Sequence, residues 1–323
     1  MKKWSTNLIP FGSNLDRFAP EGYQKNLPIE ERLKIASQIE GLTAVELHCP
    51  GMVNRENIRE IKKLLTSLNL SCSLVSPSIS GDADWAKGAL SNLDKEAREK
   101  AISRVKEAID LSVALGAYRI ILWTGLDGYD YPFQINYAKK WQTIIDAIKE
   151  CADYNPSVKI CIEYKIKEPK SRCLISDVGK LLYLIEKIDK ENVGATLDFG
   201  HSIMSMEDPA ESAVLLLKEG RLFHLHFNDT LGDWDWDMIA GSIHIYEYIE
   251  LFFWLKELDY QGWYSFDLYP SRENPKEAIG TSIKSMEKFY EIANNLERTE
   301  VLKLLEYEEA SKILRFIKEE VFR

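Results

Sequence analysis

The 323-residue chain has no cysteine pair in CxxC spacing, and its five cysteines (Cys49, Cys72, Cys151, Cys161, Cys173) are odd in number. That excludes a disulfide framework or a thiolate metal knuckle, and buried free thiols are expected. No run of about 18 apolar residues occurs. The start MKKWSTNLIPFGSN has no apolar stretch long enough for a secretory signal, so a cytoplasmic protein is expected. There is no GxGxxG and no P-loop pattern, and hence no recognisable cradle for a dinucleotide or nucleotide phosphate. Basic excess is also missing. Against 51 acidic residues stand 41 basic ones, a formal charge of -10, which opposes a nucleic-acid partner. Histidine is scarce at five residues, so the placement of each one carries information.

What is present is a strict alternation. Apolar or β-branched runs (WSTNLI, AVELHC, LSCSLVS, YRIILW, VKICIEY, VGATLDF, LFHLHFN, WYSFDLY) are each followed by a segment of helical period: 29–40, 55–68, 94–115, 135–154, 174–189, 208–219, 245–258 and 276–295. Eight strand-helix units in succession predict a (β/α)8 TIM barrel, an α/β fold that needs about 250 residues. A doubly wound open sheet is the alternative, but it would more often carry a Gly-rich first turn. Residues 1–295 are read as the barrel. Residues 296–323 are read as a helical extension, one extra helix with Leu302, Leu305, Ile313, Leu314 and Ile317 on one face to pack on the barrel or on a partner subunit.

Catalytic groups of such barrels gather at the carboxyl ends of the strands, and those ends are polar here. The second ends Glu46-Leu47-His48, with Glu46 and His48 on one face. The fourth ends at Trp123, the fifth gives Glu163-Tyr164-Lys165, and the sixth ends Asp198-Phe199-Gly200-His201. The seventh carries His224 and His226 on one face, and the eighth ends at Asp267. A carboxylate within an apolar strand is costly to bury unless it is paired or metal-bound. Glu163, Asp198 and Asp267 share that difficulty at one end of one barrel. With the imidazole of His226 they make an oxygen and nitrogen site suited to Mn2+, Co2+, Mg2+ or Zn2+. Asp235 and Asp237, two apart, are placed to chelate a second ion with His201. Each acid alone is more often a solvated loop residue. His224 is read either as a substrate contact at the mouth or as a hydrogen-bonded core histidine, and His244 as structural or exposed. Trp123, and with it Trp4, offers an apolar face to a sugar or else packs in the core.

The stretches Glu163-Tyr-Lys165-Ile-Lys-Glu168-Pro169, Asp198-Phe-Gly-His201, His226-Phe-Asn-Asp229, Trp234-Asp235-Trp-Asp237 and Asp267 resemble the xylose-isomerase-like barrels, within them the L-rhamnose isomerase type. The loop Trp123-Thr-Gly-Leu-Asp127-Gly128-Tyr-Asp-Tyr131-Pro132-Phe-Gln134 is similar to that group as well. The likeness runs from about Leu122 to Ala278. It implies that Glu163, Asp198, His226 and Asp267 hold one divalent metal, Mn2+ foremost. Asp198, His201, Asp235 and Asp237 would hold a second, with Asp233 as a substitute for one of the last pair. It further implies that Lys165 polarises the substrate carbonyl and that His48 assists ring opening; the chemistry of such a site adds a metal-bound water or hydroxide near Asp235 and Asp237 that moves the hydroxyl proton.

The reaction expected is aldose/ketose isomerisation by hydride shift on an open-chain sugar. Ketose C3 epimerisation on the same barrel is the alternative. An apurinic endonuclease and a non-catalytic sugar-binding subunit are further ones. The expected partner is a small sugar, with no nucleic acid and no membrane, and the protein is expected to be a homo-oligomer, dimer or tetramer.

Overall fold

A computed structural model describes residues 3–168 and 171–321; Pro169, part of the motif after Lys165, and the last two residues of the extension lie outside them. Eight parallel strands close into a barrel: β1 (Trp4–Asn7), β2 (Leu42–Cys49), β3 (Ser71–Pro77), β4 (Arg119–Trp123), β5 (Lys159–Glu163), β6 (Val193–Asp198), β7 (Leu222–Phe227) and β8 (Tyr264–Phe266). Each pairs with its sequence neighbours, and β1 closes on β8 with Thr6 opposite Phe266. The outer layer is α1 (Ile29–Ala36), α2 (Ile58–Ser67), α3 (Lys95–Leu115), α4 (Tyr137–Tyr154), α5 (Val178–Ile188), α6 (Phe199–Met204), α7 (Pro209–Lys218), α8 (Ile245–Glu257) and α9 (Pro275–Asn295). The eight alternations become a TIM barrel. None of the described helices is long and apolar enough to cross a membrane.

Local chemistry explains the element boundaries. Asp94 caps α3 by accepting from the amides of Glu96 and Ala97, and the helix ends at Gly116, whose φ of 78° suits a residue without a Cβ. Asp198 closes β6 and at once caps α6, accepting the amide of His201 at 2.8 Å. That one residue puts a carboxylate and an imidazole a helical turn apart at the barrel mouth. Between β7 and α8, Phe227 and Tyr248 meet edge to face at 5.4 Å. The Tyr248 hydroxyl donates to the carbonyl of Asn228 at 2.5 Å, which fixes the end of β7 against α8.

Three features depart from the sequence reading. Gly128–Tyr129, Lys167–Glu168 and Ser171–Cys173 form a small antiparallel sheet over the rim of β4 and β5. Strands of two or three residues carry no readable period. The extension forms two helices, α10 (Arg298–Leu305) and α11 (Ala310–Val321), rather than one, with Glu308 between them at a φ of 51°. Leu302, Leu305, Ile313 and Ile317 pack on the barrel's own core, whereas Leu314 stays 43% exposed. Trp4 lies at the first position of β1, against Tyr264 and Phe266 at 5.4 and 5.6 Å, at the far end of its strand from the mouth. All five cysteines are free and buried.

Candidate active site

The barrel brings strand-end side chains together by register. His226 lies opposite Asp198 on one side and Ser265 on the other, and Glu163 lies opposite Trp123. Contacts between strands that are not neighbours must cross the barrel interior, and these define the site. Donor atoms of Glu163, Asp198, His226 and Asp267 all lie within 4.8 Å of one another. His226 Nδ1 is 3.0 Å from Glu163 Oε1 and 3.4 Å from Asp267 Oδ2. Amides hold the outer oxygens: Asn228 Nδ2 donates to Asp198 at 2.9 Å, and Asn7 Nδ2 donates to Asp267.

Above this quartet His201 Nε2 is 3.4 Å from Asp235 Oδ1, and the other oxygen of Asp235 is 2.7 Å from Lys165 Nζ. Lys165 also donates to Glu168. Asp237 accepts from Asn228 Nδ2 at 3.2 Å. Below the quartet Glu46 accepts from Ser265 Oγ and faces His224 Nε2 at 2.8 Å and His226 Nε2 at 3.2 Å. A cavity of about 680 Å³ opens over these groups, lined among others by His48, Trp123, Lys165, Trp234 and Asp267. The Lys165 ammonium lies 5.5 Å from the Trp123 ring, and an added Cβ on Gly125 would fall 2.3 Å from that ring. Glycine is needed there for the indole to fold over the mouth.

The charges are out of balance. Burial, reinforced by Glu163 and Asp235, pushes Asp198 up to about 7. Asp237 rises well above the usual carboxylate range through burial and then the charges of Asp235, Asp267 and Asp198. Burial works against a charged His201, yet Asp198 and Asp235 carry it up to about 9. Burial likewise disfavours charge on Lys165 and Asp235, but their attraction wins and each stays ionised, with Asp235 held below its ordinary value. Among the described residues His201 Nδ1 is buried without a hydrogen-bond partner, 3.6 Å from Glu163 Oε1 and 3.8 Å from Asp198 Oδ1. Converging carboxylates, one imidazole and an orphaned ring nitrogen fit a hard or borderline divalent cation.

Residues 33–289 match the family described as xylose isomerase-like TIM barrel. The chain belongs to the xylose isomerase-like TIM barrel family. Xylose isomerase of Thermus thermophilus is 26% identical over 253 residues, which is 74% of this chain and 65% of that relative, so the chain spans just under two thirds of its length. Among solved structures, a D-tagatose 3-epimerase-like protein superposes with a TM-score of 0.69 at 20% identity, covering 90% of this chain and 98% of the other. An L-ribulose 3-epimerase superposes with a TM-score of 0.72 at 15% identity, covering 91% and 96%.

In this member of the xylose isomerase-like family the structure brings together the four residues Glu163, Asp198, His226 and Asp267. The other expected set is looser. Asp198, His201, Asp235 and Asp237 surround one region, but as a set their donor atoms do not all lie within 4.8 Å of one another among the described residues, and Asp235 is engaged by Lys165. Asp233 is exposed and accepts from Trp236 Nε1 at 2.7 Å. His48 and Trp123 line the cavity as expected of substrate-facing groups. His224 does not. It is fully buried one layer down against Glu46, where burial lowers its pKa to about 4, the placement that the core reading of this residue expects. His244 opens α8 and pairs with Asp229 at 2.7 Å. Sequence reasoning left Glu46 without a role, although a carboxylate inside AVELHC is the same signal that marked Glu163. For Asn7, Asn228 and Glu168 no comparable signal exists, because amides and loop acids are common.

Proposed function

We propose that this chain is a divalent-metal-dependent sugar isomerase that moves hydrogen between C1 and C2 of an open-chain aldose or ketose. The observation that carries this reading is the buried ammonium of Lys165, fixed by Asp235 and Glu168 beside the quartet and facing the cavity. Glu163, Asp198, His226 and Asp267 would hold one ion, and His201, Asp235 and Asp237, sharing Asp198, a second. Oxygen donors with imidazole favour Mn2+, with Co2+, Mg2+ or Zn2+ as alternatives. A divalent ion supplies Lewis-acid polarisation of the sugar oxygens.

The remaining work falls to the chain's own side chains. Lys165 places fixed positive charge beside the C1 oxygen, where negative charge grows as the carbonyl becomes an alkoxide. Asp235, kept ionised by His201 and Lys165, orients the C2 hydroxyl, whose proton passes to O1 as the carbonyl forms at C2. The hydrogen on C2 then moves with its electron pair to C1, the C2–O bond becomes a carbonyl, and O1 takes up a proton. Burial lowers the pKa of His48 and keeps the ring neutral, able to take a proton during ring opening. Trp123 and Trp234 cover the sugar's CH edges and exclude water. Free buried thiols suit a reducing, cytoplasmic setting. Residues 1–295 serve as the catalytic barrel and 296–323 as an appendage, in a homo-oligomer.

A second reading, ketose C3 epimerisation, is favoured by one observation: 3-epimerase structures are covered over 96–98% of their length, the xylose isomerase over 65%. Incubation of aldoses and ketoses with the Mn2+-loaded protein in D2O tests both. Interconversion with retention of the transferred hydrogen supports isomerisation. Deuterium at C3 of a recovered ketose, without aldose, overturns it in favour of epimerisation.

A further inference from the structure

We propose that Glu46 is a positioning residue of the metal centre: by accepting Nε2–H of His226 it presents the Nδ1 lone pair of that ring to the ion. This rests on the metal-dependent reading above. Glu46 comes from β2 and His226 from β7, strands that are not neighbours, so their contact spans the barrel interior. Glu46 is 2% exposed, and three donors converge on it: His224 Nε2 at 2.8 Å, His226 Nε2 at 3.2 Å and the Ser265 hydroxyl.

Both nitrogens of the His226 ring face carboxylates, Nδ1 toward Glu163 at 3.0 Å and Asp267 at 3.4 Å, Nε2 toward Glu46. A neutral imidazole has one N–H, so one nitrogen turns a lone pair toward a carboxylate; in the metal-free ring a second proton, opposed by burial but favoured by Glu46 and Glu163, relieves that repulsion, and a bound cation replaces that proton on one side. Which side takes the cation is decided by charge and by existing bonds. The Nδ1 side offers three carboxylates, Glu163, Asp198 and Asp267. The Nε2 side offers one, whose Oε1 is already engaged by the His224 ring and the Ser265 hydroxyl while its Oε2 faces His226 Nε2. The proton therefore belongs on Nε2 and the lone pair on Nδ1. His224 obeys the same logic: its Nε2 meets Glu46 and its buried Nδ1 has no partner among the described residues, as an unprotonated nitrogen tolerates better than an N–H. A carboxylate behind a ligating imidazole fixes the tautomer and strengthens the donor.

The five histidines make the assignment measurable. In the 15N-labelled, Zn2+-loaded protein, long-range 1H–15N spectra, with His226 assigned by loss of its signals in His226→Asn, are expected to show Nε2 protonated and Nδ1 coordinated. A ring protonated on Nδ1 and coordinated through Nε2 would overturn the proposal and move the ion to the Glu46 side. In Glu46→Gln, folded by circular dichroism, the Kd for Mn2+ is expected to rise about 10- to 100-fold. Unchanged Mn2+ affinity in that folded variant removes Glu46 from this role while leaving the metal-dependent reading intact. Failure of the wild type to bind Mn2+ or Zn2+ defeats that reading and the proposal with it.

Discussion

Asp235 Oδ2 lies 2.7 Å from Lys165 Nζ, joining the loop after β7 to the residues after β5 across the cavity. Lys165 is 5% exposed, so its cation is held against the substrate space in one orientation. Lys165→Met is expected to lower turnover of the isomerised sugar by about 10²–10³-fold, the effect of losing one preorganised charge at a developing oxyanion. Mn2+ binding, read by calorimetry, should persist. Full turnover in the variant would remove Lys165 from the chemistry.

Acidity links the candidate metal site to stability. In the metal-free protein Asp198 rises from 3.8 to about 7 and His201 from 6.5 to about 9. Both folded values lie above the unfolded ones, so the folded state holds the extra protons. The stability they contribute is complete below the unfolded values and is lost as pH rises, through about 7 for Asp198 and about 9 for His201. The melting temperature of EDTA-treated protein should therefore fall over that interval. Mn2+ competes with those protons, so the rise in melting temperature that it produces should grow with pH over the same range. A pH-independent rise would exclude these two residues as ligands.

Gly200 leaves room for Asn228. A Cβ there would fall 2.5 Å from Asn228 Oδ1, the oxygen that accepts the Gly200 amide at 2.9 Å. Asn228 in turn donates to Asp198 and Asp237. Gly200→Ala is expected to cost about 1–3 kcal/mol in urea unfolding and to weaken Mn2+ binding. Gly280→Ala, in α9 with nothing within 4 Å of the added carbon, should instead be neutral or stabilising by about 0.5–1 kcal/mol.

The loop that carries Asp235 and Asp237 is anchored by Asp229. This fully buried carboxylate accepts from the Ile243 amide at 2.8 Å and faces His244 Nδ1 at 2.7 Å, while its backbone pairs with Met238. Asp229→Ala is expected to destabilise the fold by about 3 kcal/mol and to raise KM, because the loop loses its closure. Urea unfolding and steady-state kinetics measure the two effects; an unchanged KM would show that the loop is held by other contacts.

The sequence by itself determined the barrel and most of its mouth. Strand and helix periods are local properties of adjacent residues, so eight alternations could be read from the chain, and carboxylates interrupting apolar strands marked Glu163, Asp198 and Asp267. Tertiary structure alone decided which atoms meet. Glu46 and His224 are 178 positions apart, and nothing in the spacing says that barrel closure joins them or that His224 drops below the cavity while His226 enters it. Lys165 and Asp235 meet only because two loops from different strands fold over one opening. Side-chain period tells which face a residue takes; the depth and partner of that residue depend on barrel register and closure, which are fixed by the packing of the whole chain.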